Sequence, residues 1–162
     1  GGFLFAYPAA YFYVRKLKLT FWLWHDTLAP VLALGYAMGR IACFLVGCCY
    51  GRVCDLPWAV PTKQIHVASE TLTTLYRHPT QLYASFTEFL ILGILLWFEK
   101  KKPRLGFVFL LWVLLHSANR FAMEIFRADP RGGEWFGLSI SMLISVLLFF
   151  TSLIVILKRK ND

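Results

Sequence analysis

Charge is scarce in this sequence: 16% of its 162 residues are Asp, Glu, Lys or Arg, and only nine residues are acidic. A soluble domain of this length needs far more polar surface. Here 58% of the residues are hydrophobic and 17% aromatic, which selects the membrane class. Seventeen basic residues give a net charge of +8, the usual mark of a soluble nucleic-acid binder. They are bunched and leave no soluble basic face, so nucleic acid is not expected as a partner. No internal repeat or low-complexity segment stands out, and a single domain over residues 1–162 is expected. The N-terminal apolar run has no basic segment before it, and Arg15-Lys16-Leu17-Lys18 follows it, which argues against a signal peptide. There is no initiator methionine, and Gly1 to Val14 falls short of the roughly 20 residues a span requires. The chain is therefore expected to begin partway through a membrane helix.

The apolar runs predict an all-α polytopic bundle with about five membrane segments, the first incomplete. They are Phe3 to Val14 and spans at Leu28–Val46, Leu82–Phe98, about Leu105 into the 120s, and Leu138–Leu157; Leu19 to Asp26 reads separately as an interfacial amphipathic stretch. Gly35 and Gly39, four apart, predict a face where another helix approaches closely. Gly47 to Thr80 and Ala128 to Trp135 read as connecting loops. Arg15, Lys16, Lys18, Lys100 to Lys102, Arg104 and Lys158 to Lys160 hold ten of the seventeen basic residues and fall on one side if each segment crosses once. By the positive-inside rule that side, with the C-terminus, is cytoplasmic, and the two loops face outward.

Within this frame the polar residues inside the spans are the informative ones. An arginine in lipid is costly and seldom present without a partner or a task. Arg40 lies about six residues inside the outer end of its span, or roughly 9 Å deep. In the fourth segment His116, Arg120, Glu124 and Arg127 stand at i, i+4, i+8 and i+11, one stripe down one helix face, with Asn119 beside them. Arg120 lies roughly 10 Å deep, a level similar to that of Arg40. An intrahelical Arg120–Glu124 ion pair is the plain reading, but it leaves Arg40 unexplained. Two guanidiniums at one depth suit a buried phosphate; Glu88 neutralising one of them is the competing structural account. Arg77-His78-Pro79-Thr80-Gln81-Leu82-Tyr83 opens a span, where free amides favour an anion and His78 could accept a proton. His25 and His66 read as ordinary structural or solvated histidines.

Cys43, Cys48, Cys49 and Cys54 crowd into twelve positions. Packing as small apolar side chains ranks first, and a disulfide of Cys48 or Cys49 with Cys54 second, because the loop faces an oxidising compartment. Metal binding ranks last, because the spacing is not a pair of C-x-x-C motifs. No metal and no cofactor is expected.

These motifs, in this order, resemble the prolipoprotein diacylglyceryl transferase family. Gly39-Arg40 through Gly51-Arg52 is similar to its G-R-x-G-N-F-x-N-x-E-x-x-G pattern, and Arg77 to Tyr83 to its R-H-P-S/T-Q-L-Y element. Arg120-Phe121 through Glu124 to Phe126-Arg127 is similar to R-F-x-x-E-x-x-R. Gly1-Gly2, Asp26 before Leu28-Ala29-Pro30, Glu88, and Gly137-Leu138-Ser139 also fall where the family has such residues. The resemblance covers essentially the whole chain, with the first family spans before it.

That likeness implies an enzyme of the bacterial inner membrane, working at the outer leaflet. It would transfer diacylglyceryl from phosphatidylglycerol to the lipobox cysteine thiol of a prolipoprotein, with membrane lipids around it. Arg40 and Arg120 would hold the lipid phosphate, and Glu124 would orient Arg120 or the substrate. Gly51, Arg77, Tyr83, Glu88 and His116 would line the substrate site. The family's suspected base, a histidine before the glycine pair, would precede Gly1, so His78 and His116 are the visible substitutes. Departures are Ala42 for glycine, Cys43 and Val46 for two asparagines, Cys48 for glutamate, and His116 for tyrosine. They keep two alternatives open: an envelope thiol or metal protein on the same scaffold, or a phospholipid-binding protein without catalysis.

Overall fold

A computed structural model describes residues 2–66, 71–101, 103–127, 134, 135 and 138–161. Five helices carry the chain: α1 (Gly2–Lys16), α2 (Phe21–Val46), α3 (Thr80–Lys100), α4 (Phe107–Phe126) and α5 (Ile140–Asn161). The last four are long and apolar enough to cross a membrane. Large apolar side chains such as Phe86, Leu147 and Phe150 face outward, as a helical bundle in lipid requires. The chain is a multi-pass helical membrane protein.

Two segment boundaries differ from the sequence expectation. The interfacial stretch Leu19–Asp26 and the span after it form one helix, α2, of 26 residues. No residue in Phe21–Leu28 interrupts helical hydrogen bonding, and Pro30 sits inside the helix without ending it. The long connection after α2 is also not a plain loop. Strands β1 (Val60–His66) and β2 (Thr71–Arg77) pair antiparallel, from Val60 opposite Arg77 to His66 opposite Thr71. Threonine, valine and isoleucine favour such a pleated pair. A short ribbon, β3 (Glu134–Trp135) with β4 (Leu138–Ser139), leads into α5. Gly1, Glu70, Lys102, all of residues 128–133 and Gly137 lie outside the described residues.

The core is shared by α2, α3 and α4: Ala29, Ala33, Ile91, Leu95 and Val108, backed by Phe109, Trp112 and Leu115. Ala29, Ala33 and Ala37, four apart, are fully buried, so the small-residue stripe of α2 is made of alanines. Gly35 and Gly39 face away from these contacts: both are exposed, and a Cβ on either would meet nothing within 4 Å among the described residues. The Ser85 hydroxyl, from α3, reaches the Ala37 carbonyl at 3.0 Å and ties the two helices at the stripe. α5 packs on α4, with Ser117, Ser145 and Ser152 buried.

The two ends of the bundle are chemically distinct. At one end both Asp26 oxygens accept from the start of α4, from the amides of Gly106 and of Phe109 (2.9 Å). A carboxylate there satisfies orphan amides and meets the positive end of the helix dipole. Arg159 lies over the Trp22 ring and donates to the Leu105 carbonyl at 2.8 Å. His25 is buried here as a structural group, with Nδ1 on the Phe21 carbonyl at 2.8 Å and Nε2 3.0 Å from the Tyr7 hydroxyl. This end also carries the basic clusters of the α1–α2 turn, the α3–α4 turn and the C-terminus. The opposite end carries the 47–80 connection and the ribbon.

Candidate functional site

The polar residues gather on the inside of α2, α3 and α4 toward the end without the basic clusters. The chain from Gly51 to Cys54 is stitched on both sides. The Arg52 amide donates to the Phe126 carbonyl at 2.9 Å, the His78 amide to the Arg52 carbonyl at 3.0 Å, and the Gly51 amide to the His78 carbonyl at 2.9 Å. Gly51 is buried where these strands meet. A Cβ there would stand 2.6 Å from the Phe126 oxygen, 2.7 Å from Thr80 Cγ2 and 2.8 Å from His78 Cβ. Only glycine fits this approach. Arg77 Nη1 reaches the Gly51 carbonyl at 3.4 Å, and Arg52 Nε donates to the Arg127 carbonyl at 3.2 Å.

His78 and Tyr83 belong to this upper layer. Tyr83 Oη accepts from Trp58 Nε1 at 2.6 Å and lies 3.5 Å from His78 Nδ1, while the His78 ring packs beside Phe126. The vicinal cysteines are anchored by the first turn of α3. Thr80 Oγ1 donates to the Cys49 carbonyl at 3.0 Å, and the Gln81 amide donates to the Cys48 carbonyl.

Below lie the two arginines. Arg40 and Arg120 each stand six residues before the last residue of their helices, Val46 and Phe126, or roughly 9 Å from the helix ends. Arg40 donates to the Tyr36 hydroxyl at 2.8 Å and sits over that ring at 4.7 Å. The expected Arg120–Glu124 ion pair is not formed. Glu124 Oε1 accepts from Ser139 at 3.0 Å instead, and Oε2 is buried without a hydrogen-bond partner among the described residues. Ser139 of β4 thus holds Glu124 at the ribbon. Neither Arg40 nor Arg120 has a carboxylate within 4.0 Å among the described residues. The account in which Glu88 neutralises an arginine is likewise corrected.

Glu88 is fully buried one layer deeper and is held by three side chains of α4. His116 Nδ1 lies 3.1 Å from both carboxylate oxygens, Trp112 Nε1 donates to Oε1 at 3.1 Å, and Asn119 Nδ2 donates to Oε2 at 3.1 Å. Thr87 Oγ1 donates to Asn119 Oδ1 at 2.8 Å, which fixes the orientation of that amide. The His116 ring stacks on Trp112 and meets the Tyr36 ring edge-on at 4.7 Å. Arg40, Tyr36, His116 and Glu88 therefore form one chain of contacts across three helices, polar at both ends and joined in the middle by the Tyr36–His116 ring contact. With Nδ1–H donated to the carboxylate, a neutral His116 ring carries its lone pair on Nε2.

Sequence reasoning named Glu88, His116 and Asn119 but not the other supporting partners. Tyr36, Trp112 and Thr87 had a readable signal only in part: Tyr36 is four residues before Arg40 and Trp112 four before His116, each one turn away.

The family model for prolipoprotein diacylglyceryl transferase matches residues 1–158. Relatives named phosphatidylglycerol–prolipoprotein diacylglyceryl transferase include one from Clostridium tetani, 35% identical over 91% of this chain and 57% of its own length. Another, from Polynucleobacter necessarius, is 35% identical over 93% of this chain and 56% of its own. A third, from Idiomarina loihiensis, is 31% identical over 100% of this chain and 59% of its own. The chain thus spans little more than half the length of these relatives. A match that runs through every one of the layers above leaves no other assignment: the chain belongs to the prolipoprotein diacylglyceryl transferase family.

Proposed function

We propose that the protein carrying this chain transfers a diacylglyceryl group from phosphatidylglycerol to the cysteine thiol of a prolipoprotein. The observation that carries this reading is the pair of half-buried guanidiniums, Arg40 and Arg120, at one level inside the bundle and without a carboxylate among the described residues. Such a pair is unfavourable until an anion neutralises it, and a lipid phosphate meets both the charge and the fork geometry. The relatives' names supply the substrates.

The reaction forms a carbon–sulfur bond at the glyceryl carbon of the donor and breaks that carbon's bond to the phosphate oxygen, so glycerol phosphate leaves. The acceptor thiol must first lose its proton. His116 is one helical turn deeper than Arg120, on the tail side of the phosphate, which is the level of the reacting carbon. Its Nε2 is the base in this reading, and Glu88 is the positioning residue that sets its tautomer. Arg40 and Arg120 stabilise the charge that grows on the departing phosphate. Gly51, Arg77, His78 and Tyr83 shape the mouth through which the peptide enters, and Glu124 orients the ribbon through Ser139.

The basic end of the bundle faces the cytoplasm by the positive-inside rule. In this reading the site lies toward the outer leaflet of the bacterial inner membrane, with the C-terminus inside. Purified full-length protein given phosphatidylglycerol and a lipobox peptide should yield thioether-lipidated peptide. No product, under conditions where a Clostridium tetani relative gives product, would remove this reading in favour of lipid binding without transfer.

A further inference from the structure

Three of the four cysteines converge just past the end of α2. The Sγ atoms of Cys43, Cys48 and Cys49 all lie within 4.8 Å of one another, and no disulfide joins any of the four. Consecutive residues of regular structure point their side chains apart. Here the backbone reverses to bring them together. Gly47 has φ 78°, and Cys49 has φ 66°, a left-handed conformation that residues with a Cβ adopt infrequently. The Cys48 amide returns to the Cys43 carbonyl at 3.1 Å. On the far side, Gln81 and Thr80 hold the carbonyls of Cys48 and Cys49. Backbone groups on both sides fix the loop, and the three sulfurs are what it presents. All three residues are only half-buried, so packing alone is a weak reason for them, since structural cysteines are usually among the most buried residues.

We propose that Cys43, Cys48 and Cys49 form a three-thiolate site for a soft, thiophilic monovalent cation of the Cu(I) class. Soft sulfur ligands favour Cu(I) or zinc, and zinc in closed sites takes four protein ligands. No fourth His, Cys, Asp or Glu joins the group among the described residues, and Cys54 stays outside it. A metal–sulfur distance near 2.3 Å puts trigonal sulfurs about 4 Å apart, so closure needs shifts of about 1 Å. On binding, three S–H bonds are replaced by three metal–sulfur bonds and three protons leave to solvent. The cation arrives and remains as Cu(I), so no electron moves. The product carries two net negative charges, which the half-exposed position of the trio leaves open to solvent. Ion binding displaces the thiol protons, so it strengthens as pH rises.

The site is independent of the transferase reading, because binding is measured without lipid or peptide. Full-length protein in detergent, reduced and anaerobic, is titrated with Cu(I) in acetonitrile. The sulfur-to-copper absorption and the copper retained after desalting are then followed. One Cu(I) per chain is expected, with Cys43, Cys48 and Cys49 protected from maleimide and Cys54 labelled. Cys48→Ser should weaken binding by about 100-fold or more, and Cys54→Ser should leave it unchanged. Because Cys48→Ser could disturb the loop, the labelling map of the unmutated protein gives the second, variant-free reading. Four labelled cysteines in the presence of Cu(I), equal loss in Cys54→Ser, preferential retention of Zn(II), or a disulfide within the trio in freshly isolated protein would each overturn the proposal.

Discussion

Nδ1 of His116 stands 3.1 Å from both oxygens of Glu88, a carboxylate with no solvent exposure. A buried carboxylate persists only where its acceptor capacity is filled. Trp112 and Asn119 fill what His116 leaves. The histidine is thereby held in one ring orientation, whereas the polar contact given to the His78 ring, at the mouth, is a long one of 3.5 Å to Tyr83, beside its packing on Phe126. Removing His116 should therefore lower kcat by about 10²–10⁴, the usual worth of a positioned general base, with lipid KM little changed. His78→Gln should cost less than about tenfold. Transfer assays on the two variants decide the matter, and a reversed order would move the base to the mouth of the site.

The arginine pair makes a separate expectation. Arg40→Ala and Arg120→Ala should each reduce kcat/KM by at least about 10²-fold, the scale for losing a donor aimed at developing charge. Arg40→Lys keeps the charge but loses the fork, and should recover only part of the rate. Each variant is checked for expression and for monodispersity in detergent. Near-normal turnover in either alanine variant would leave that arginine as a structural charge.

The spans were legible because uninterrupted apolar runs between basic clusters have few alternatives in lipid, and α3, α4 and α5 fall close to where hydropathy puts them. Rotation was not legible. Gly35 and Gly39 are as small as Ala33 and Ala37, and nothing in the local sequence says which stripe meets α3. The same loss of rotation made Arg120 and Glu124 look like partners, because spacing fixes a shared face but not what that face is packed against. The hairpin was hidden by Pro61 and Lys63, which break the alternation of β1, although the threonines of β2 carried a signal. The cysteine cluster was illegible for a different reason: its geometry depends on left-handed backbone at Cys49, and a spacing rule assumes ordinary turns.

Gly51 offers a stability test free of any assumption about chemistry. Gly51→Ala places a methyl against two backbone-fixed neighbours, the Phe126 carbonyl and the segment at His78–Thr80. Neither is the tip of a flexible side chain that could swing away. The cost should be about 1–3 kcal/mol, the range for overpacking, read as a lowered Tm in detergent. An unchanged Tm would mean that the 51–54 segment moves freely against α4.

The Cys48 thiol carries the clearest pH dependence. Its pKa is raised from 9.0 to about 11, chiefly by the hydrogen bond with Cys49. A raised thiol pKa favours the protonated form, so at neutral pH the reactive thiolate is about 100-fold scarcer than for an ordinary cysteine, and alkylation is slowed accordingly. The rate should climb about tenfold per pH unit and level off only near pH 11. Cys49→Ser keeps a weaker hydrogen-bonding group but removes the neighbouring thiol, and should bring that plateau to lower pH. The measurement is a maleimide or iodoacetamide rate at each pH, resolved by mass spectrometry of the Cys48 peptide in metal-free protein. A plateau near pH 9 in the unmutated chain would show that the three sulfurs do not hold one another's protons, and the geometry of the loop would have to be relaxed.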